Sequence, residues 1–197
     1  MKAAKVGGDL TTPGGAGWSE VSAERVALQP APLDAQPTEY IRTKWADLPY
    51  GTVAGVDVAT ATDGQALFVR LEWDDSETPN GEFPDAAAVY FPADAGAAAG
   101  TFGSTEQAVD LWYWQSNLEA ARSLVGRGPG VFTPNGSEVS ASAALDGGRW
   151  SVVLSGPLAD APSSIGVAVW DGSNEERAGL GAVTPEWVAL ELGASGK

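Results

Sequence analysis

Two acidic groups offer the clearest raw material for chemistry: Asp74-Asp75 with Glu77, and Asp171 with Glu175 and Glu176. Clustered carboxylate oxygens can hold Ca²⁺, and a pair of acids facing one cleft can hydrolyse a glycosidic bond. The sequence shows no shared cleft, however, and a chain this rich in Asp and Glu produces such clusters by composition alone, so both read as solvated turns. The remaining inventory is narrow. The 197 residues include no His, no Cys and a single Met at position 1, which excludes Ser-His-Asp and Cys-His nucleophilic sites and any thiolate metal centre. No phosphate-cradling Gly-rich loop precedes a helix. Eight tryptophans stand out, Trp112 and Trp114 among them. Two residues apart on a strand they share one face, with Tyr113 on the other, and buried packing is the ordinary role of such rings. Arg177, between Trp170 and Trp187, has Asp171, Glu175 and Glu176 as potential partners in a surface ion pair of little weight.

The elements that position these residues are strands. Residues 21–28, 55–59, 66–73, 86–91, 109–114, 138–144, 150–154, 165–170 and 187–192 alternate or run apolar between Gly, Pro, Asp or Asn. Leu67, Val69, Leu71 and Trp73 point one way, and Phe68, Arg70 and Glu72 the other, so one face is core and the other wetter. The pattern predicts an all-β fold, a two-sheet antiparallel β-sandwich with one short helix, in a single domain over 1–197. The helix is expected at 117–124, where Asn117 can cap and Glu119 lies near the positive end. The Gly- and Pro-rich stretches 28–37 and 126–135 read as loops. No linker and no internal repeat is visible.

An ordered set of motifs adds a resemblance. An opening strand at Gly17-Trp18 is followed by Val89-Tyr90-Phe91-Pro92, a Gly-rich loop from Gly100 to Gly103, and Val109-Asp110-Leu111-Trp112-Tyr113-Trp114-Gln115. Then come Gly166-Val167-Ala168-Val169-Trp170-Asp171-Gly172, Glu176-Arg177 and Thr184-Pro185-Glu186-Trp187. In this order and spacing the chain resembles the haem-b-binding gamma subunits of dimethyl sulfoxide reductase type II molybdoenzymes, such as ethylbenzene dehydrogenase, dimethyl sulfide dehydrogenase, and chlorate and selenate reductases. The resemblance implies a β-sandwich that carries haem b, docks on a molybdopterin catalytic subunit and an iron–sulfur subunit, transfers electrons without catalysing, and lies outside the cytoplasmic membrane. In that family iron is held by a Met in the Gly-rich loop and a Lys after the Trp-Asp-Gly turn. Matched by motif, those positions are Phe102 and Gly181 here, and neither residue can donate to iron. The implied pocket comprises Phe102, Gly103, Trp112, Trp114, Trp170 and Gly181. Lys44, Tyr113 and Tyr90 are the nearest alternative donors, although Lys44 reads as a solvated amine and the tyrosines as sandwich packing. The resemblance thus implies haem b where the residues oppose it, and a haem-free structural subunit is the reading the residues favour. A second reading keeps the sandwich and drops the redox role: a carbohydrate-binding module, similar to family nine modules, which requires a pair of tryptophans open to solvent.

Charge sets the setting. Eleven Lys and Arg against 26 Asp and Glu give a net charge of −15, so nucleic acid is not an expected partner. A surface so acidic and so poor in lysine suits a salt-rich environment, where screening relieves self-repulsion, and the expected source is an extreme halophile. No run is long and apolar enough for a membrane span. Residues 1–5 lead into Gly and Asp without a signal-peptide core, so export is expected either after leader removal or docked to a partner that carries the signal. Dialysis from molar to millimolar salt is expected to unfold the protein, followed by circular dichroism. Unchanged stability in low salt would contradict the halophilic reading.

Overall fold

The computed structural model describes residues 1–75, 82–158 and 163–192. Its strands are β1 (Lys2–Lys5), β2 (Glu24–Ala27), β3 (Gln29–Pro30), β4 (Gly55–Thr62), β5 (Ala66–Asp74), β6 (Ala86–Pro92), β7 (Val109–Gln115) and β8 (Arg122–Gly126). They continue with β9 (Phe132–Pro134), β10 (Ser140–Asp146), β11 (Arg149–Pro157), β12 (Ser164–Trp170), β13 (Ala182–Val183), β14 (Val188–Ala189) and β15 (Glu191–Leu192). One α-helix, α1 (Glu39–Lys44), lies between β3 and β4. The first sheet runs β10-β11-β5-β4-β1-β15 with β2 also on β4, and the second runs β3-β13-β12-β6-β7-β8-β9 with β14 also on β12. Pairing is antiparallel except at β1, which lies parallel to both β4 and β15.

The period-two alternation explains the layering. Leu67, Val69, Leu71 and Trp73 of β5 share the space between the sheets with Trp150, Val152 and Leu154 of β11, with Val89 and Phe91 of β6, with Trp112 and Trp114 of β7, and with Val167 and Val169 of β12. Within the second sheet a small residue lies beside a large one, as Ala87 does beside Trp114, which leaves room for the bulky ring. Towards one end of the sandwich Trp73, Trp114 and Trp150 meet with ring centroids 4.9 to 6.5 Å apart. The opposite faces are covered too. Phe68, on the outer face of the first sheet, is buried with Leu10 and Trp18, and the Arg70 guanidinium lies 4.9 Å from the Trp18 ring. On the outer face of the second sheet, Tyr90, Leu111 and Trp170 are buried under the loop that carries Ala97, Ala99 and Phe102.

Several expectations are corrected. Residues 117–124 are not a helix: a turn closed by Leu118 N–H donating to the Gln115 carbonyl leads into β8, whose Arg122 and Leu124 pair with Tyr113 and Leu111. The exposed edge of β7 offers those residues a ladder that an isolated short helix cannot match. The helix forms instead at Glu39–Lys44, where the Thr38 hydroxyl accepts from Ile41 N–H at 3.3 Å, Glu39 occupies the first turn, and Arg42 and Lys44 the last. Gly17 and Trp18 lie in a 3-10 turn, Ala16–Glu20, and not in a strand. The stretches read as loops contain β3 and β9. The segment 187–192 divides into β14 and β15, which pair with different sheets.

The tryptophan cluster should dominate stability. Trp114→Ala is expected to destabilise the fold by about 3–5 kcal/mol, because the cavity it leaves lies between two sheets that cannot both collapse into it. Tyr40→Ser, at a side chain 72% exposed, is expected to change stability by less than about 0.5 kcal/mol. Denaturant titration in molar salt measures both.

Candidate functional site

The strand β7 divides the aromatic residues into two sets. Trp112 and Trp114 turn into the gap between the sheets, which their rings fill together with Phe91, Trp73 and Trp150. Tyr113 turns outward. Its ring meets that of Trp170 at 5.7 Å and 70°. Phe102 arrives from the other side, at the end of the 3-10 turn Ala99–Thr101, with a left-handed backbone at φ 54°. A non-glycine residue held there costs on the order of 1 kcal/mol, and complete burial of its ring offsets that cost. The Phe102 ring stacks on the Trp170 indole, 5.8 Å between centroids and 12° between planes, and touches Tyr90 and Phe132 at 5.1 and 5.3 Å. Gly103 follows at φ 76°, and a methyl group there would collide with the Gln107 carbonyl at 2.3 Å.

Gly181 lies against the same indole: a methyl group on it would sit 2.6 Å from Trp170 Cδ1 and 2.7 Å from Nε1. Trp170 therefore touches both Phe102 and Gly181, with its Nε1–H donating to the Ala178 carbonyl at 3.1 Å. Beside it opens a cavity of about 570 Å³, lined by Tyr113, Arg122, Leu124, Phe132, Pro134 and Trp170 among others. A smaller one of about 220 Å³ adjoins it through Tyr113, Gln115 and Trp170 and reaches Phe83 and Arg177. The structure thus joins Phe102, Gly103, Trp170 and Gly181 on the outer face of the second sheet, and it puts Trp112 and Trp114 on the inner one.

No family model matches the sequence. Similar proteins include ORF7 of Haloferax mediterranei, assigned as a respiratory nitrate reductase heme subunit, 32% identical over 197 residues that cover 89% of this chain and 66% of ORF7. The chlorate reductase subunit gamma of Ideonella dechloratans is 35% identical over 207 residues, covering 94% of this chain and 81% of that subunit. The dimethylsulfide dehydrogenase subunit gamma of Rhodovulum sulfidophilum is 27% identical over 157 residues, covering 68% and 59%. The chain belongs to this haem-b gamma-subunit family of dimethyl sulfoxide reductase type II molybdoenzymes. The Haloferax relative accords with the salt-adapted composition.

For a gamma subunit the immediate question is whether the residues present fit haem iron. They do not. Phe102 and Gly181 offer no donor atom, and the lining of the larger cavity contains neither Lys nor Met. The Met1 side chain packs against the core between the sheets. Lys44 is exposed on α1 with Nζ 6.0 Å from the Trp45 ring, and it lines neither cavity. Tyr113 does line both, but burial pushes its phenol up to about 12, with the nearby Arg122 charge acting weakly in the other direction. Its hydroxyl donates to Gln115 Oε1 at 3.1 Å. Tyr90, fully buried, bonds to the Ala99 carbonyl and the Thr184 hydroxyl, and burial raises its pKa as well. Both hydroxyls are engaged in hydrogen bonds within the protein.

The carboxylates are regrouped. Asp75, Asp85 and Asp171 bring one oxygen each within 4.8 Å of one another, and Asp85 is buried, so these are not simply solvated turns. Asp85 accepts from Gly172 N–H at 2.8 Å and from Trp150 Nε1–H at 3.1 Å, which fastens β12's turn to the tryptophan cluster, and burial pushes its carboxyl up. Asp74 pairs instead with Arg149 at 2.6 Å. Glu77 lies outside the described residues. Glu176 is buried and accepts from Gly51 N–H at 2.6 Å, Asp171 N–H at 3.1 Å and Asn174 Nδ2 at 3.1 Å. Arg177 makes no side-chain ion pair there: it donates to the Glu175 carbonyl and lies 4.4 Å from the Phe83 ring.

Sequence reasoning overlooked Asp85 and the cavity residues Gln115, Arg122 and Phe132. The predicted helix at 117–124 hid the pairing of Arg122 with Tyr113, and the predicted loop at 126–135 hid Phe132. Because Tyr113 holds its proton more tightly folded than unfolded, stability should fall as pH rises from about 10 to about 12. Tyr113→Phe is expected to reduce that slope, and phenolate absorbance is expected to lose one late-titrating group.

Proposed function

We propose that this chain is a non-catalytic gamma-type subunit of a molybdopterin oxidoreductase complex, docked on a molybdopterin catalytic subunit and an iron–sulfur subunit, and that it carries no haem. The observation behind the haem-free reading is the stack of Phe102 on Trp170 with Gly181 pressed against the same indole. The two positions that the family uses for iron ligation are here a closed aromatic contact. The subunit's task is then to cover and hold its partners, and electrons leave the complex by another route. The names of its relatives, heme or gamma subunits of reductases and a dehydrogenase, support the assignment to such a complex. The proposed location is the outer face of the cytoplasmic membrane. No helix of the described residues is long and apolar enough to cross a membrane. A sugar-binding module needs two open tryptophan rings, and none of the eight tryptophans is exposed, so the complex is the better reading.

The test is purification from the native source in molar salt, with absorption spectra oxidised and dithionite-reduced and a pyridine haemochrome assay. Co-purifying molybdenum and iron–sulfur subunits without a b-type signal from this chain is the expected outcome. A stoichiometric b-type signal would overturn the haem-free assignment, and purification without those partners would overturn the assignment to the complex. Labelling of intact cells with a membrane-impermeant reagent tests the location.

A further inference from the structure

The strand β10 is an open sheet edge without the usual safeguards. It ends the order of the first sheet, and among the described residues no strand pairs with its far side. The other outer strands are guarded. β3 and β9 each carry a proline, Pro30 and Pro134, β14 and β15 have two residues each, and β2 has four and carries Glu24 and Arg25. Shortness, proline and charge are what natural sheets use to stop an edge pairing with another chain. β10 has seven residues, Ser-Ala-Ser-Ala-Ala-Leu-Asp, and its ladder to β11 runs from Ser140 to Asp146 without a bulge. We propose that β10 pairs antiparallel with β10 of a second copy, giving a two-fold symmetric dimer whose first sheet is continuous across both copies.

Parity fixes which backbone groups are free. The Gly148 carbonyl accepts from Asp75 N–H at 2.8 Å and Leu158 N–H donates to the Gln65 carbonyl at 3.0 Å, so at both ends of β11 the even-numbered residues bond towards β5. The odd-numbered ones, from Arg149 to Ser155, then bond towards β10 through Asp146, Ala144, Ser142 and Ser140. Ala141, Ala143 and Leu145 are left with N–H and C=O directed at the open edge. A two-fold axis at Ala143 uses this set: Ala143 lies opposite its own copy and Ala141 opposite Leu145, each pair exchanging both of its hydrogen bonds. The side chains agree. Val139, Ala141 and Ala143 are partly buried against the core between the sheets, whereas Leu145, opposite Trp150, is 41% exposed. Pairing sets Leu145 beside the small Ala141 of the copy and covers it. Charge agrees too. Residues 140–145 carry none, Asp146 falls opposite Ser140 and Glu138 opposite Gly148, so no carboxylate faces its own copy. In molar salt a Debye length of about 3 Å screens the repulsion between two chains of net charge −15.

This inference goes beyond the subunit assignment and needs neither haem nor a partner subunit. The purified chain in molar salt is followed by sedimentation equilibrium over a range of concentrations, and a reversible equilibrium between monomer and dimer is the expected result. Ala143→Pro removes an N–H that the chain's own ladder does not use, so it should leave the circular dichroism spectrum unchanged and abolish the dimer. Leu145→Ser should raise the dissociation constant about tenfold. The chain has no cysteine, so Ala143→Cys tests the register without background. Opposed Cα atoms about 5.5 Å apart allow a disulfide on oxidation, whereas Ala141→Cys, whose copy lies about 14 Å away, should form none. If Ala143→Pro does not fold, the two cysteine variants carry the test. A monomer at every concentration overturns the proposal. So does a dimer that survives Ala143→Pro, or one in which Ala141→Cys crosslinks as readily as Ala143→Cys. A monomeric chain whose Ala143→Pro variant instead loses co-purifying subunits would give the edge to a partner's strand and overturn the self-pairing.

Discussion

The constraint on which the molecule depends is the register of β7. Side chains on a strand alternate, so seating Trp112 and Trp114 between the sheets compels Tyr113 to face outward, and a slip of one residue would exchange the two sets. That choice is enforced from both sides. Trp114 meets Trp73 and Trp150 within the sandwich, while Trp112 lies so close to Gly156 that a methyl group there would sit 2.6 Å from its ring. Outward-facing Tyr113 then becomes the wall shared by both cavities, and β8, paired to the same strand, brings Arg122 beside it. The candidate site is a by-product of how the core is locked.

A second dependence links the site to the buried polar groups. Trp170 ends β12, and the turn that follows is fastened by Asp85 to Gly172 and by Glu176 to the backbone of residues 51 and 171. These bonds satisfy N–H groups that would otherwise be buried without partners. They also hold the indole in place against Gly181. The left-handed backbone at Phe102 is maintained by the same packing, since the ring has aromatic neighbours on several sides.

The fold was legible because its strands obey a simple period. The run from Leu67 to Trp73 announced both its faces, and the tryptophans of β7 announced theirs. What sequence could not show was which exposed edge a marginal segment would join. Residues 117–124 carry an acceptable helix cap, yet the ladder beside β7 prevails, and with it came the arginine of the cavity. Two-residue strands such as β3 and β13 have no periodicity to read. The carboxylates were misgrouped for a related reason: Asp75, Asp85 and Asp171 are distant in sequence and meet only because β5, β6 and β12 end at the same rim of the sandwich. The common contact of Phe102 and Gly181 with Trp170 is a matter of three dimensions that no motif shows.

The first strand completes its pairing only against the last. β1 lies between β4 and β15, parallel to both, and the amino group of Met1 donates to the Ala189 carbonyl at 2.8 Å. Contacts between residues so remote in sequence carry a loop-closure cost and slow folding. During synthesis the edge of β4 that receives β1 can be occupied early, but the outer edge of β1 stays unpaired until residues near 191 emerge. The nascent protein therefore presents an open sheet edge until those residues are made.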